Sequence, residues 1–369
     1  MQEDNATLNF YHSIFTTPVQ LDKQETPVPI IALPSGHTLR PSKVFDTYWK
    51  FATERQDIFF KRVLGTPPPW SNDWILQTYK FTNAYRASDR VSQYLIRNVI
   101  YDAKYEPEDI LFRILLFKTF NKIETWEVLT RKFGTITYRG FDPNIADEVL
   151  LTTMKSGHSI YSGAYIMPSG GRSGHPTIKH RTHIDILLHM MKESLLSRIL
   201  SAKSLNEVFS ILKTFPLVGD FLAYQYSIDI NYSELIDFSE SSFVVPGPGA
   251  RNGIRKCFLD SDGVCESDII KLVTDLQEEE FSRLGLQFKD LWGRSLQLID
   301  CQNLFCEVDK YARVAHPLVQ GITHRHRIKH RFSPKFDPID YWYPPKWGLN
   351  DRIPQTSKKD LPHAKSTTC

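Results

Sequence analysis

Apolar residues recur at helical spacing over most of this chain. Val44, Tyr48, Phe51 and Ala52 fall at i, i+4, i+7, i+8, and Phe59, Phe60 and Val63 continue that face. The run predicts a helix from Pro41 that stops at Pro67-Pro68-Pro69-Trp70. A short helical turn over 73–76 follows, then a long helix over 83–100 with Ala84, Val91, Leu95 and Val99 inward. Pro107 suits a first-turn position and opens a strongly apolar helix over 108–120. Further helices are predicted at 124–133, 143–155, 180–201, 205–213, 218–230, 267–284 and 288–315. Alternating patterns are few, and residues 135–139 and 242–245 are the best candidates for strands. Proline interrupts the pattern at both ends, at Pro18, Pro27, Pro29 and Pro34 and again from Pro317 to Pro362. The segment 168–176, Pro-Ser-Gly-Gly-Arg-Ser-Gly-His-Pro, reads as a loop. The expected architecture is a mostly α, two-lobe helical domain over 41–318. An extended arm over 1–40 precedes it, and a basic, Pro-rich wrapping tail over 319–369 follows.

Composition narrows the classes. At 24% charged and 41% hydrophobic, 369 residues are ample for a folded core. No apolar run approaches the ~18 residues of a membrane span, and the start of the chain lacks a secretory or transit pattern. Five cysteines with no export signal suit a reducing, intracellular setting, nuclear if the source is eukaryotic. The net charge of +3 divides unevenly. Residues 321–369 hold 10 Lys/Arg against 4 Asp/Glu, or +6, so the rest sums to −3. The basic run Thr323-His324-Arg325-His326-Arg327-Ile328-Lys329-His330-Arg331 suits phosphates, and equally a solvated tail or an import signal.

Several reaction classes lack their residues. There is no Gly-x4-Gly-Lys-Ser/Thr phosphate loop, nucleophile elbow, zinc-protease helix or kinase signature set. Cys301 and Cys306 would lie about 140° apart on one helix, a poor chelate, so they read as core thiols. His180 and His183 share a helix face, but adjacent Lys179 and Arg181 make a phosphate-facing stripe the better reading. No metal or cofactor is expected.

Polar residues in apolar surroundings mark the candidate site. On the predicted helix at 83–97, Asn83, Arg86, Asp89 and Arg90 form one stripe, which could hold phosphates or be a surface ion-pair ladder. Gln225 and Asp229 are i, i+4, and Tyr232 follows. A buried carboxylate beside an amide could bind a base edge or activate water, though a capping cluster would look the same. In Gly247-Pro248-Gly249-Ala250-Arg251-Asn252-Gly253 the glycines would let backbone approach a ligand. Arg251, Arg255 and Lys256 supply charge there, or the segment is a tight connection. Asn303, Glu307 and Lys310 share a face of the last predicted helix and could line a cleft.

Four of these segments carry a family resemblance. They are Phe81-Thr82-Asn83-Ala84-Tyr85-Arg86-Ala87-Ser88-Asp89-Arg90-Val91-Ser92-Gln93-Tyr94-Leu95, Phe221 to Tyr232, Phe243 to Ile254, and Asp300 to Tyr311. Together they resemble the helical domain of 5-hydroxymethyl-deoxyuridine (5-hmdU) DNA kinase, also described as α-glutamyl/putrescinyl thymine pyrophosphorylase-like. The resemblance covers roughly 42–316. It implies a fold related to helix–hairpin–helix DNA glycosylases and a role in systems that make or remove hypermodified thymine in DNA. In the phage kinase the domain is fused to a P-loop kinase, whose motif this chain lacks. Glycosylases of the class have a Leu-Pro-Gly-x-Gly hairpin followed by a catalytic Asp. Here Phe215-Pro216-Leu217-Val218-Gly219 stands in for the hairpin, with Leu217 in place of the first Gly, and Asp237 lies 18 residues beyond Gly219. The catalytic Lys of bifunctional members is missing. The resemblance therefore implies a monofunctional glycosylase-like hydrolase using Asp229 or Asp237 on a flipped, modified pyrimidine. The alternative is a non-catalytic module that recognises modified DNA for a separate enzyme. In both, Asn83, Arg86, Asp89, Arg90, Gln225, Tyr232, Gly247, Gly249, Arg251, Lys256, Asn303, Glu307 and Lys310 are the candidate DNA- or substrate-binding residues.

Overall fold

Ser42 starts the helical core. Its hydroxyl accepts the Val44 N–H and so caps the first helix, α1 (Lys43–Val63). It also donates to the Lys256 carbonyl, while the Ser42 N–H donates to the Cys257 carbonyl, 2.8 Å away. These bonds tie the start of α1 to a helix some 200 residues later. The computed structural model describes residues 30–163, 178–333 and 340–354. The described residues contain fourteen α-helices and one two-stranded sheet, β1 (Ile31–Ala32) with antiparallel β2 (Thr38–Leu39).

After α1 come α2 (Trp74–Thr78), α3 (Arg90–Tyr94), α4 (Pro107–Phe120), α5 (Ile123–Phe133), α6 (Pro143–Lys155) and α7 (Lys179–Lys192). Then follow α8 (Leu195–Ser201), α9 (Leu205–Lys213), α10 (Asp220–Asn231), α11 (Pro248–Cys257), α12 (Glu266–Asp275), α13 (Gln277–Arg283) and α14 (Leu298–Ala315). Packing divides them into two groups. α14 lies against α11, α1 and α12, so one group joins the beginning of the chain to its later third. The other centres on α4, which packs on α5, α7, α8 and α10, with α9 against α10. α4 is buried nearly all round, Ile110 to Phe120 without a break. That explains its apolar character on every face.

The structure corrects several sequence expectations. Residues 83–100 are not one helix. The Asn83 N–H donates to Asp89, and the Asn83 amide donates to the Ser88 carbonyl. These side chains capture backbone groups that a helix would use. The segment instead forms a single 3₁₀ turn, Arg86–Ser88, then α3, then a π-helical turn, Leu95–Ile100. The expected stripe Asn83–Arg86–Asp89–Arg90 therefore does not exist as a helix face. The helix at 180–201 breaks at Ser194, which takes a left-handed φ of 55°. The one at 267–284 breaks at Leu276, and α14 begins ten residues later than expected. Neither 135–139 nor 242–245 pairs as a strand. In the first, side chains take the backbone groups, Asp109 accepting the Tyr138 N–H and Arg113 donating to the Ile136 carbonyl.

The Gly-Pro-Gly segment is the larger surprise, because it is helix α11. A Cβ on Gly249 would lie 2.3 Å from the Cys306 sulfur, and one on Gly253 would lie 2.0 Å from the Phe305 carbonyl oxygen. The glycines let α11 and α14 approach closely, rather than admit a ligand. The loop predicted at 168–176 falls outside the described residues.

Candidate functional site: a buried charge cluster

Asp229 is fully buried on α10, and its two oxygens face cations from different elements. Arg86 Nη2 lies 2.9 Å from Oδ1, and Lys118 Nζ, from α4, lies 3.2 Å from Oδ2. Arg86 also donates through Nε to Gln225 Oε1 at 3.1 Å and through Nη1 to the Tyr232 hydroxyl at 3.0 Å. Lys118 donates to Asn121 Oδ1 at 2.8 Å. The Arg86 backbone N–H donates to Asp300 Oδ1, 2.7 Å away at the start of α14. A buried charge is tolerable only when it is paired, and here each carboxylate oxygen faces a cation that is itself held by hydrogen bonds, Arg86 by Gln225 and Tyr232 and Lys118 by Asn121. The i, i+4 spacing of Gln225 and Asp229 puts amide and carboxylate on one face of α10, toward one guanidinium.

Around this centre burial dominates the titrations. It raises the Asp300 carboxyl to about 6, opposed by N–H bonds from Gln297 and Arg86. It raises Glu240 to about 7, although Arg294 sits 3.2 Å away. The Tyr232 hydroxyl is pushed well up by burial despite Arg86. Arg294 stacks over Trp347 at 3.8 Å, and Trp347 meets the Tyr232 ring edge-on. Lys346 donates to the Ser233 and Ile236 carbonyls. The described part of the C-terminal segment thus packs beside the cluster.

The other candidates occupy different places. Asn83 and Asp89 form a neighbouring knot with Arg55, which donates to Asn83 Oδ1 at 3.0 Å. Burial raises the Asp89 carboxyl to about 7. Glu307 accepts the Thr82 N–H and pairs with Lys310 at 2.8 Å, and Lys310 also reaches the Lys80 carbonyl. These two bind the 80–83 segment to α14. Lys256 is buried against Asp309 at 2.9 Å, with Asn252 bonded to the same carboxylate. Gly247 caps α11 beneath the Phe221 ring. Asn303 is half-buried and Arg251 exposed. Arg90 is half-exposed near Glu124, and Asp237 is 81% exposed, 3.4 Å from Lys346. Arg86, Gln225, Asp229 and Tyr232 are therefore brought together. Among the described residues no hydrogen bond or ion pair joins Asp237, Arg251 or Asn303 to them.

His180 does not face phosphate. It is buried with Nε2 2.7 Å from Asp147, which Arg181 also contacts, while His183 Nδ1 meets the Tyr161 hydroxyl at 2.7 Å. Cys301 and Cys306 lie in or beside the core, their thiols pushed up to about 12 by burial. Among the described residues no group of three or more His, Cys, Asp or Glu could hold a metal, and no helix is long and apolar enough to cross a membrane. The sequence pattern singled out Glu240 among the carboxylates after Gly219 but did not mark Lys118, Asn121 or Arg294. Lys118 did leave a signal, as a cation inside a helix that is apolar and buried on nearly every face.

Residues 42–321 match the family model described as the helical domain of 5-hmdU DNA kinase. The 5-hmdU DNA kinase of Bacillus phage SP10 is 26% identical over 295 residues, covering 75% of this chain and 45% of the relative. The chain thus spans less than half the length of that relative. No solved structure matches. The matched span runs from the Ser42 cap past the end of α14 and takes in Arg86, Lys118, Gln225, Asp229, Tyr232 and Asp300. The chain belongs to the family of 5-hmdU DNA kinase helical domains.

Proposed function

We propose that this chain binds DNA and recognises a modified pyrimidine, with the Arg86–Gln225–Asp229–Tyr232 cluster organising the recognition surface. One observation carries the reading. Within the family-matched span, a guanidinium holds an amide and a phenol and is itself paired with a carboxylate whose two oxygens both face cations. Such a carboxylate orients its neighbours and is poorly placed to stabilise a cationic sugar. The matched relative's name links the family to 5-hmdU in DNA, which suggests a hydroxymethylated or further-elaborated pyrimidine as the base recognised. Asn83, Asp89, Glu307, Lys310 and Lys256 would support the surface by fixing the 80–89 segment and α14. The phosphate loop of a kinase is missing from this sequence, so phosphoryl transfer is not part of the proposal.

A second reading, a monofunctional glycosylase using Asp229 or Asp237, draws on the turn between α9 and α10. Leu217 there adopts φ 63° at the position where helix–hairpin–helix motifs place glycine. One assay separates the two. The protein is incubated with duplexes carrying 5-hydroxymethyluracil, a bulkier hydroxymethyl derivative, or thymine. Tighter binding to a modified duplex without abasic sites supports recognition. Abasic sites made by the wild type and lost in Asp237→Asn, or in Asp229→Asn protein that circular dichroism shows to be folded, would establish excision and displace the first reading. Equal affinity for all duplexes would defeat base recognition.

A further inference from the structure

The basic run at 323–331 is not a loose extension. It is fastened along its length. The Thr323 N–H and hydroxyl both donate to Asn252 Oδ1, at 2.7 and 3.2 Å. Arg313 of α14 donates to the Arg327 carbonyl at 3.1 Å. Ile328 packs on the core between its charged neighbours. The Lys80 N–H donates to the His330 carbonyl, the Phe332 N–H donates to the Thr78 carbonyl, and Tyr79 bridges Arg331. Phe332 then meets the Trp70 ring at 6.4 Å. On the strap's side the fastenings use backbone groups, the Thr323 hydroxyl and apolar side chains, and leave the charges outside. Arg325, Arg327, Lys329 and Arg331 are all exposed, and no salt bridge among the described residues engages any of the four. They are spaced at every second residue along the fastened segment.

We infer that residues 323–331 form a fixed basic strap that grips the phosphate backbone of duplex DNA. Lysine and arginine that neutralise phosphates release condensed counterions, so such a surface supplies sequence-independent affinity. Holding the strap in place removes the ordering cost that a free tail would meet on binding. An import receptor would need this segment peeled away, which its bonds to Asn252, Arg313, Tyr79 and Lys80 oppose. The inference takes its partner from the DNA-binding reading above, but it does not depend on any base being recognised.

The test is the triple variant Arg325→Gln, Arg327→Gln and Lys329→Gln, titrated with thymine and 5-hydroxymethyluracil duplexes across a salt series. The slope of log affinity against log salt should become shallower by about 2.7, some 0.9 for each phosphate that is no longer neutralised. Affinity at moderate salt should drop tenfold or more, by the same factor for both duplexes, with the melting temperature unchanged. An unchanged slope overturns the strap, whether or not the variant also fails to bind an import receptor. If the wild-type protein binds both duplexes equally while the slope responds, base recognition fails and the strap stands.

Discussion

Asp229 shows how much one side chain can hold in place. Two cations and, through Arg86, an amide and a phenol depend on it. Removing its charge leaves Arg86 and Lys118 buried with their opposite charge gone. We therefore expect Asp229→Asn to destabilise the fold by about 3–5 kcal/mol in urea titrations, the usual loss when one partner of a buried pair is removed. Asp237, by contrast, is 81% exposed and, among the described residues, pairs with Lys346. Asp237→Asn should change stability by less than about 0.5 kcal/mol, as surface substitutions do. Comparable losses in the two variants would contradict the division between a buried organiser and a surface carboxylate.

At the level of elements, the seam between α11 and α14 is a close helix contact that leaves no room for a side chain at Gly249 or Gly253. A methyl group at Gly253 would strike the Phe305 carbonyl, which is backbone and cannot swing away, whereas at Gly249 it would strike the Cys306 side chain. Gly253→Ala should cost about 1–3 kcal/mol or more, as overpacking does, and Gly249→Ala less. Thermal melts of the two variants give the order directly. The break between α7 and α8 has the opposite character. Ser194 is exposed and held at φ 55°, a conformation that penalises a side chain. Ser194→Gly should raise stability by up to about 1 kcal/mol, and a lower melting temperature would show that the serine does something the backbone conformation does not reveal.

Across the molecule, buried carboxyls should set the pH profile. Burial lifts Glu240 and Asp89 to about 7 and Asp300 to about 6. A carboxyl raised in this way holds its proton more tightly in the native state than in the unfolded chain. Its contribution to stability is fully present below the ordinary carboxylate range and is lost as pH rises through the folded value. These three groups should therefore lower the urea midpoint progressively between about pH 4 and pH 7. Glu240→Gln removes one proton from that balance and should flatten the decline. A profile parallel to the wild type would mean that Glu240 is ionised throughout.

Much of the fold was legible because helices are local. The 3.6-residue repeat located α6 and α9 at their observed limits, α4 and α5 to within a residue, and α1 to within two residues at its start and three at its end. It also put Gln225 and Asp229 on one face, since four positions along a helix are neighbours whatever surrounds them. α11 was illegible for the converse reason. Three glycines and a proline argue against a helix, and only the surface of α14, some fifty residues later, makes those glycines the right size. The 83–100 segment failed similarly, because its apolar spacing is helical while its polar side chains find better bonds in a turn. The charge cluster joins Arg86, Lys118, Asp229 and Asp300, whose pairing no local pattern encodes. The chain's own pattern specified which segments coil and that polar residues interrupt apolar faces. Which carboxylate meets which cation, and whether a basic run hangs free or is strapped down, was decided by packing, because burial makes a charge costly until a distant partner arrives.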